Sequence, residues 1–255
     1  MISKKELDLS RPLMNAAGTL GFAPDPRAPL PWDWLGAFIS NPISLRPRST
    51  TREPAMLEYP GGFLMHTGLP NPGFQAVLRQ CERRWQEAGI QIIPHLMADR
   101  PEETRSMVRA LEGVDNIGAV ELGFAPLLAD DIILLAIDMS RGELPLVACL
   151  PAQQVLQIGA KAIEHGAAAV SISAPRGTLT REGQMVSGRL FGPSLFPLAL
   201  DTVRSAAKAG LPIIGAGGVA SPEQAQAMIE AGAIGAQMDF ALWRPMEKER
   251  APSQE

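Results

Sequence analysis

Residues 211–223 read Leu-Pro-Ile-Ile-Gly-Ala-Gly-Gly-Val-Ala-Ser-Pro-Glu, and this stretch decides the fold. Its Ile-Ile pair enters a glycine-rich turn, which is typical of a buried β-strand that ends in a tight loop. Ser221 is a favoured N-cap residue and Pro222 is favoured at the first helical position, so a helix is predicted to begin there. Gly232 ends that helix, and residues 236–238 supply a second strand. The stretch therefore predicts a β-α-β unit whose glycine loop lies at the carboxyl end of the first strand, where α/β proteins bind ligands.

The alternation of short apolar runs and amphipathic segments continues over the whole chain. It predicts eight strands, at residues 13–17, 37–40, 90–95, 119–122, 146–150, 168–173, 213–214 and 236–238. Helices are predicted between them, at residues 73–88, 101–111 with Asp99 as the starting residue, 130–139, 155–165, 195–209 and from 222 onward. A glycine-rich link is predicted at residues 176–193.

Eight strands with intervening helices in 255 residues indicate one closed (β/α)8 barrel, the TIM-barrel class of α/β fold, rather than an open sheet. We expect a single domain over residues 1–246 and a disordered tail at 247–255. Residues 42–72 are rich in proline and glycine and have no helical period, so we expect them to form an excursion over the barrel mouth.

Composition excludes several classes of function. Lys and Arg number 23 against 27 Asp and Glu, which gives a net charge of −4 with no basic stripe for nucleic acid or an anionic membrane. Cys81 and Cys149 are distant in sequence, so neither a disulfide nor a thiolate metal site is expected. No apolar run reaches membrane-spanning length. These features predict a cytoplasmic protein with a small-molecule ligand or none.

Five stretches of the chain form a set of motifs: Asn-Ala-Ala-Gly at residues 15–18, Ile-Ser-Leu-Arg-Pro-Arg at 43–48, Gly-Leu-Pro-Asn-Pro-Gly at 68–73, Gly-Arg-Leu-Phe-Gly-Pro-Ser-Leu-Phe-Pro-Leu-Ala-Leu at 188–200 and Pro-Ile-Ile-Gly-Ala-Gly-Gly at 212–218. Together they resemble the dihydroorotate dehydrogenase family, which comprises FMN-dependent barrels of pyrimidine biosynthesis. Their order and spacing agree over nearly the whole chain. The resemblance implies an oxidoreductase acting on a CH–CH donor, a flavoprotein that forms a homodimer or works with a partner subunit.

The resemblance also assigns site residues. Asn71 would bind substrate, and the FMN site would be formed by Ala16, Ala17, Gly18, Gly192, Gly215, Gly217 and Gly218. Glycines in a loop at a strand end can bind a phosphate by their backbone N–H groups. The alternative that they only allow a turn with positive φ stays open.

The chain departs from the family at positions that carry its chemistry. After the fourth strand the family has a loop with a catalytic Cys or Ser, whereas residues 121–126 read Glu-Leu-Gly-Phe-Ala-Pro and lead directly into a helix. Asn41 and Ala148 replace lysines near the flavin, Met65 replaces a substrate-binding asparagine, and residues 174–175 replace an Asn-Thr pair. Loss of a general base alone costs about 10²–10⁴ in rate. These changes predict weak or absent oxidation of dihydroorotate.

At the phosphate end, Asp239 and Phe240 replace a Gly-Thr pair. A carboxylate about 4 Å from a phosphate charge opposes binding by roughly 4 kcal/mol at an effective dielectric constant near 20, which is about a thousandfold in affinity. The cations near this end in sequence are Arg176, Arg189 and Arg244. FMN is therefore expected from the resemblance, but with low affinity.

The mouth of the barrel is also expected to be less polar than a working flavin site. Side chains that fill a cavity recover about 25 cal/mol per Å² of buried apolar area. The residues expected to fill the space of FMN and substrate are Met65, Phe124, Ala148, Ala174 and Phe240.

Four residues are candidates for catalysis. His95 ends the third strand at the rim that would face a ligand, and His66 lies in the mouth excursion. Glu121 is unusual within a strand, and it either points into the barrel as a functional acid or pairs with an arginine. Cys149 would be a displaced base or, alternatively, a barrel packing residue.

Three functions remain open from the sequence. The first is an FMN-dependent oxidoreductase of the dihydroorotate dehydrogenase type. The second is a non-catalytic binding protein or partner subunit without flavin, in effect a pseudoenzyme. The third is an enzyme that uses His95, Glu121 or His66 for other chemistry at the barrel mouth.

Overall fold

A computed structural model describes residues 7–28 and 30–239 of the chain. Its strands are β1 (Leu13–Asn15), β2 (Ala37–Ile39), β3 (Ala55–Tyr59), β4 (Gly62–His66), β5 (Gln91–Ile93), β6 (His95–Met97), β7 (Val120–Gly123), β8 (Leu146–Leu150), β9 (Ala169–Ile172), β10 (Arg176–Arg181), β11 (Gln184–Phe191), β12 (Ile213–Ala216) and β13 (Gly235–Met238). Its α-helices are α1 (Phe74–Gln86), α2 (Pro101–Leu111), α3 (Asp130–Met139), α4 (Ala152–Glu164), α5 (Phe196–Lys208) and α6 (Pro222–Glu230).

Nine short parallel strands form the main sheet, in the order β5-β2-β1-β13-β12-β9-β8-β7-β6. The two end strands, β5 and β6, are separated only by Pro94, which has no N–H to give to a ladder. They are the two halves of one barrel strand, because β5 pairs with β2 and β6 pairs with β7. The sheet therefore closes, and the predicted (β/α)8 barrel is confirmed.

The helices begin and end close to the predicted positions. The Ser221 hydroxyl accepts a hydrogen bond from the Gln224 N–H at 3.3 Å, as an N-cap does. The prediction that Asp99 starts α2 is wrong: Arg100 holds the N-cap position and makes no side-chain capping bond. Pro101 lies at the first helical position, where its fixed φ favours the start of a helix.

Side chains on the barrel strands alternate between two apolar layers. The inner layer fills the lower barrel and includes Met14, Ile39, Ile93 and Ile214. The outer layer packs the strands against the helices. Because the inner apolar layer stops below the carboxyl ends of the strands, the upper interior is left for polar residues and cavities.

A second, antiparallel sheet of order β10-β11-β4-β3 covers the carboxyl end of the barrel. The glycine-rich link predicted at residues 176–193 contains the hairpin of β10 and β11, which the sequence analysis did not predict. Glu182 and Gly183 at its tip have φ values of 50° and 79°, as the favoured two-residue hairpin turn requires. We call this four-stranded sheet the roof; β3 and β4 come from the excursion at residues 42–72.

No helix in the described part of the chain is long and apolar enough to cross a membrane. The predicted tail at 247–255, Phe240 and Arg244 lie outside the described residues.

Candidate functional site

Two adjoining cavities, of about 500 and 600 Å³, lie between the carboxyl ends of the barrel strands and the roof. Their size is within the range of small-molecule sites. The residues that line both cavities are Ala17, His95, Gly123, Phe124, Pro126, Arg176, Arg189 and Phe191.

A buried polar cluster forms the floor of the first cavity. Glu121 Oε2 lies 2.6 Å from His95 Nδ1, and Glu121 Oε1 accepts hydrogen bonds from Ser171 Oγ and Gln237 Nε2, each at 2.7 Å. Glu121 is 1% exposed and His95 is 4% exposed. The four residues lie on four different barrel strands, so the closed barrel assembles a cluster that no local segment contains.

The Glu121 carboxyl is held ionised by its partners. Burial acts most strongly on its pKa and raises it, but the hydrogen bond and charge of His95, together with the bonds from Ser171 and Gln237, outweigh burial and lower the pKa overall. An ionised carboxylate only accepts hydrogen bonds, so His95 carries a proton on Nδ1.

The other ring nitrogen of His95 faces Gly123. A side chain at Gly123 would collide with His95 Nε2, and both residues line the two cavities. Among the described residues, no hydrogen bond joins a partner to Nε2. His95 therefore lines both cavities and has one ring nitrogen without a hydrogen-bond partner among the described residues.

Two arginines of the roof lie at the same cavities. Arg176 on β10 and Arg189 on β11 are direct cross-strand partners, so their side chains share one face. Arg176 is exposed at the rim and Arg189 is half-buried. Burial lowers the pKa of Arg189 most, and the charge of Arg176 lowers it further, whereas Cys149 and Asp99 act in the opposite direction. Within the described part of the chain, neither guanidinium has a salt bridge.

Two carboxylates complete the site. The Gly218 N–H donates a hydrogen bond to Asp239 Oδ2 at 3.1 Å, and Asp239 is buried. Asp99 lines the second cavity, and its buried Oδ1 has no hydrogen-bond partner among the described residues.

The predicted FMN-binding residues divide into two groups. Ala16, Ala17, Gly18 and Gly217 line the cavities. The other three lie elsewhere: Gly215 faces Met228 of α6, Gly192 packs against Gly61, and Gly218 lies behind the Asp239 carboxylate. Gly215 therefore lies on the helix-facing side of β12, between the inward-facing Ile214 and Ala216.

Asn71, the predicted substrate ligand, lies outside both cavities. Its Oδ1 accepts hydrogen bonds from the Ser44 N–H at 3.2 Å, the Ser44 hydroxyl at 3.1 Å and the Gly73 N–H at 3.0 Å. Its Nδ2 donates to the Leu69 carbonyl at 3.2 Å. With its polar atoms used in this way, Asn71 holds the excursion in place.

The fifth barrel strand turns Ala148 and Cys149 to opposite faces of the barrel wall. Ala148 is fully buried against the helices, whereas Cys149 points inward and lines the first cavity. Cys149 is therefore the residue of this pair that faces the barrel interior. Burial and the charge of Glu121 raise the pKa of the Cys149 thiol, so it stays protonated at neutral pH.

The apolar mouth is present only in part. Phe124 lines both cavities, Met65 lines the second and Ala174 lines the first, but they leave open space rather than filling it. Asn41 and His66 line the second cavity, and Asn41 Oδ1 accepts a hydrogen bond from the Gly21 N–H at 3.1 Å.

Sequence reasoning missed Ser171, Gln237 and Asp99. The first two alternate with apolar residues on their strands, at positions that point inward as Glu121 does. Every second residue of a barrel strand points inward. Applying this alternation to each strand, with Glu121 taken as an inward residue, would have identified both.

These features define a (β/α)8 barrel with two adjoining cavities at the carboxyl ends of its strands, which is the end that carries function in this class of fold. The family model described as dihydroorotate dehydrogenase matches residues 2–124. Over 261 residues the chain is 30% identical to the dihydroorotate dehydrogenase B (NAD(+)) catalytic subunit of Streptococcus pneumoniae serotype 4 (strain ATCC BAA-334 / TIGR4), with 91% of this chain and 83% of that protein covered. The chain belongs to the dihydroorotate dehydrogenase family.

Further comparisons agree. The protein of the same name from Trichlorobacter lovleyi is 27% identical over 260 residues, covering 92% of this chain and 84% of that protein. Among solved structures, a crystal structure of DHODH in complex with ferulenol from Eimeria tenella gives a TM-score of 0.68 at 14% identity, covering 91% of this chain and 76% of that one. That likeness shows the fold.

Proposed function

We propose that this member of the family binds an anionic small molecule beneath the roof and does not oxidise dihydroorotate at an appreciable rate. The observation that carries the proposal is the pair formed by Arg176 and Arg189. Like charges directly opposite each other on neighbouring strands are destabilising. A bound anion would relieve that repulsion, because a guanidinium fork matches a carboxylate or a phosphate.

The surroundings of Arg189 support an anion rather than a neutral ligand. The guanidinium is half-buried beside both cavities, and the burial that lowers its pKa reflects a charge with reduced access to water. Such a charge gains most from a partner of opposite sign. Asp99 Oδ1, a buried acceptor, would suit a hydrogen-bond donor elsewhere on the ligand.

The residues at the phosphate end do not fit FMN in the manner of the family. The Gly218 N–H, which would be a donor to phosphate, already donates to Asp239 Oδ2. A phosphate at that point would meet a buried carboxylate of the same charge. The lysine near the flavin is replaced at the inward position by Cys149, a protonated thiol that supplies no charge.

A second candidate is the FMN-dependent oxidoreductase that the family relationship suggests. The observation in its favour is space: the cavities of about 500 and 600 Å³ adjoin, and Ala16, Ala17 and Gly217 line the first. In this case Asp239 would be a local obstacle that a different phosphate position avoids.

The absorption spectrum of freshly purified protein, followed by FMN titration, separates the two candidates. If the protein is an anion-binding member without dihydroorotate oxidation, we expect the purified protein to show no flavin absorption band, no tight FMN binding and no formation of orotate from dihydroorotate. A protein that purifies with bound flavin and oxidises dihydroorotate would overturn it.

Anion binding is tested by the melting temperature in rising inorganic phosphate, with sodium chloride at matched ionic strength. We expect phosphate to stabilise the wild type, since a ligand that binds the folded state raises its stability. Arg189→Met should remove most of this effect. Arg181→Met, at the exposed end of β10, is the matched control and should retain it. Equal phosphate responses in all three proteins would refute the arginine site.

A further inference from the structure

We propose that His95 and Glu121 form a proton-transfer dyad that acts on an anionic carbonyl compound with a C–H bond next to its carbonyl group. The inference rests on the proposed function, because the arginines would hold the anionic end of the substrate. It adds a reaction to a binding site.

The geometry of the dyad fixes the role of each residue. Glu121 Oε2 lies 2.6 Å from His95 Nδ1, so the carboxylate holds the proton on that nitrogen. Ser171 and Gln237 occupy the other carboxylate oxygen, which prevents the carboxylate from rotating away. The remaining ring nitrogen, Nε2, has its lone pair free in the neutral imidazole and lies beside Gly123, and both residues line the cavity.

The other groups at the floor favour proton transfer over covalent catalysis. The Cys149 thiol is kept protonated and so is a poor nucleophile. The Ser171 hydroxyl donates its proton to Glu121, whose low pKa leaves it a weak base. Of the described groups at the floor, His95 is the one left to act as a base, and the arginines of the roof supply the positive charge. These are the two elements that enolate formation needs, a proton acceptor and a positive charge near the developing oxyanion.

The proton transfer needs only the substrate and His95, and its atoms and electrons balance between them. Nε2 takes the proton from carbon, so a C–H bond breaks and an N–H bond forms. The electron pair of the C–H bond becomes the C=C bond of an enolate, and the carbonyl π pair moves to oxygen. The imidazolium then returns a proton to the same carbon or to a neighbouring atom, and no oxidant, reductant or other reactant is consumed. Glu121 is a positioning residue, since it acts only through His95.

Exchange of substrate hydrogen with solvent tests the dyad. The protein is incubated in D₂O with 2-oxobutyrate, a carboxylate, or with dihydroxyacetone phosphate, and the loss of the C–H signal next to the carbonyl is followed by proton NMR. We expect accelerated exchange with at least one probe, and the probe that responds identifies the anion. His95→Gln should reduce the rate by about 10²–10⁴. His165→Gln, the same change at the end of α4, should leave the rate unchanged.

Nitrogen-15 NMR of the histidine rings tests the geometry without a substrate. Wild-type His95 should show the proton on Nδ1 and a free Nε2. Glu121→Gln should alter that pattern, whereas a merely structural role of Glu121 would not require any change at the His95 ring. A wild-type ring protonated only on Nε2 would overturn the dyad. So would the absence of exchange with both probes, or full exchange by His95→Gln.

Different outcomes would refute the anion site and the His95–Glu121 dyad. Phosphate stabilisation without exchange would leave the anion site standing and remove the dyad. Exchange that survives Arg189→Met, with no phosphate stabilisation in the wild type, would leave the dyad and remove the arginine site. Absence of both would refute the proposed function and the inference that rests on it.

Discussion

The Asp239 carboxylate accepts a hydrogen bond from the Gly218 N–H, with 3.1 Å between Oδ2 and N. Gly218 has φ of 71°, and a side chain there would collide with the Phe196 N–H and the Gly192 carbonyl. The glycine loop is thus retained with its backbone close to the start of α5. The backbone N–H that such a glycine loop offers to an anion is thus already donated to the chain's own carboxylate.

Removing that carboxylate should raise the affinity for FMN. We expect Asp239→Gly with Phe240→Thr to lower the dissociation constant by up to about a thousandfold, the equivalent of about 4 kcal/mol for like charges near 4 Å. Fluorescence quenching of FMN measures the change. Cys149→Lys, at the inward position of β8, should give a smaller gain because it adds one attraction without removing the repulsion. A double variant no better than wild type would contradict this account.

Ala148→Lys is a poor mimic of the family's lysine. Ala148 is fully buried between the barrel and the helices, so a lysine there should destabilise the fold rather than bind flavin. Urea denaturation of this variant beside Cys149→Lys checks the assignment of the inward position. Equal stability of the two variants would contradict it.

Both cysteines should be unreactive in the folded protein. Burial raises the pKa of Cys81, with Arg84 opposing the rise, and burial and Glu121 raise the pKa of Cys149. At pH 8 we expect slow reaction with Ellman's reagent, and rapid reaction of two thiols after denaturation in guanidinium chloride. Cys81→Ala isolates the signal of Cys149. Fast native labelling of that variant would show that the thiol is accessible and ionised.

Glu121 should contribute to acid sensitivity. Its pKa is lower in the folded state than in the unfolded chain, where Glu titrates near about 4.3. The stability it contributes is therefore complete above that value and is lost as the pH falls through the lower folded pKa. Urea denaturation from pH 6 to pH 3 should show Glu121→Gln to be less stable at pH 6 by about 1–3 kcal/mol and less sensitive to acid. Glu164→Gln, an exposed change on α4, should follow the wild type.

Gly123→Ala should displace the His95 ring. An added methyl group would collide with Nε2 and Cε1, so the ring must move away from its 2.6 Å contact with Glu121. We expect a loss of about 1–3 kcal/mol in unfolding free energy and a changed histidine pattern in nitrogen-15 NMR. Gly89→Ala has nothing within 4 Å of the new methyl group and serves as the control. An unchanged His95 signal in Gly123→Ala would show that the ring has more room than the structure gives it.

The hydrophobic periodicity of the sequence predicted much of the fold but not the roof. Short apolar strands and amphipathic helices each have a recognisable hydrophobic pattern. The strands and helices of the barrel could therefore be counted from the sequence. The hairpin of β10 and β11 could not, because its strands are largely exposed and polar and gain their order by pairing with β4. Its turn at Glu182 and Gly183 was the one local sign.

The sequence by itself determined the closed barrel, the ends of most helices and the candidacy of His95 and Glu121, because these depend on local periodicity and on residue chemistry. The tertiary structure decided which side chains meet. Barrel closure brings Ser171 and Gln237 to the same carboxylate oxygen, and strand alternation turns Cys149 inward and Ala148 outward. It also sets Arg189 beside Arg176 and Asp239 against Gly218. Such contacts join residues far apart in the chain, and their distances follow only from strand register, which no local pattern contains.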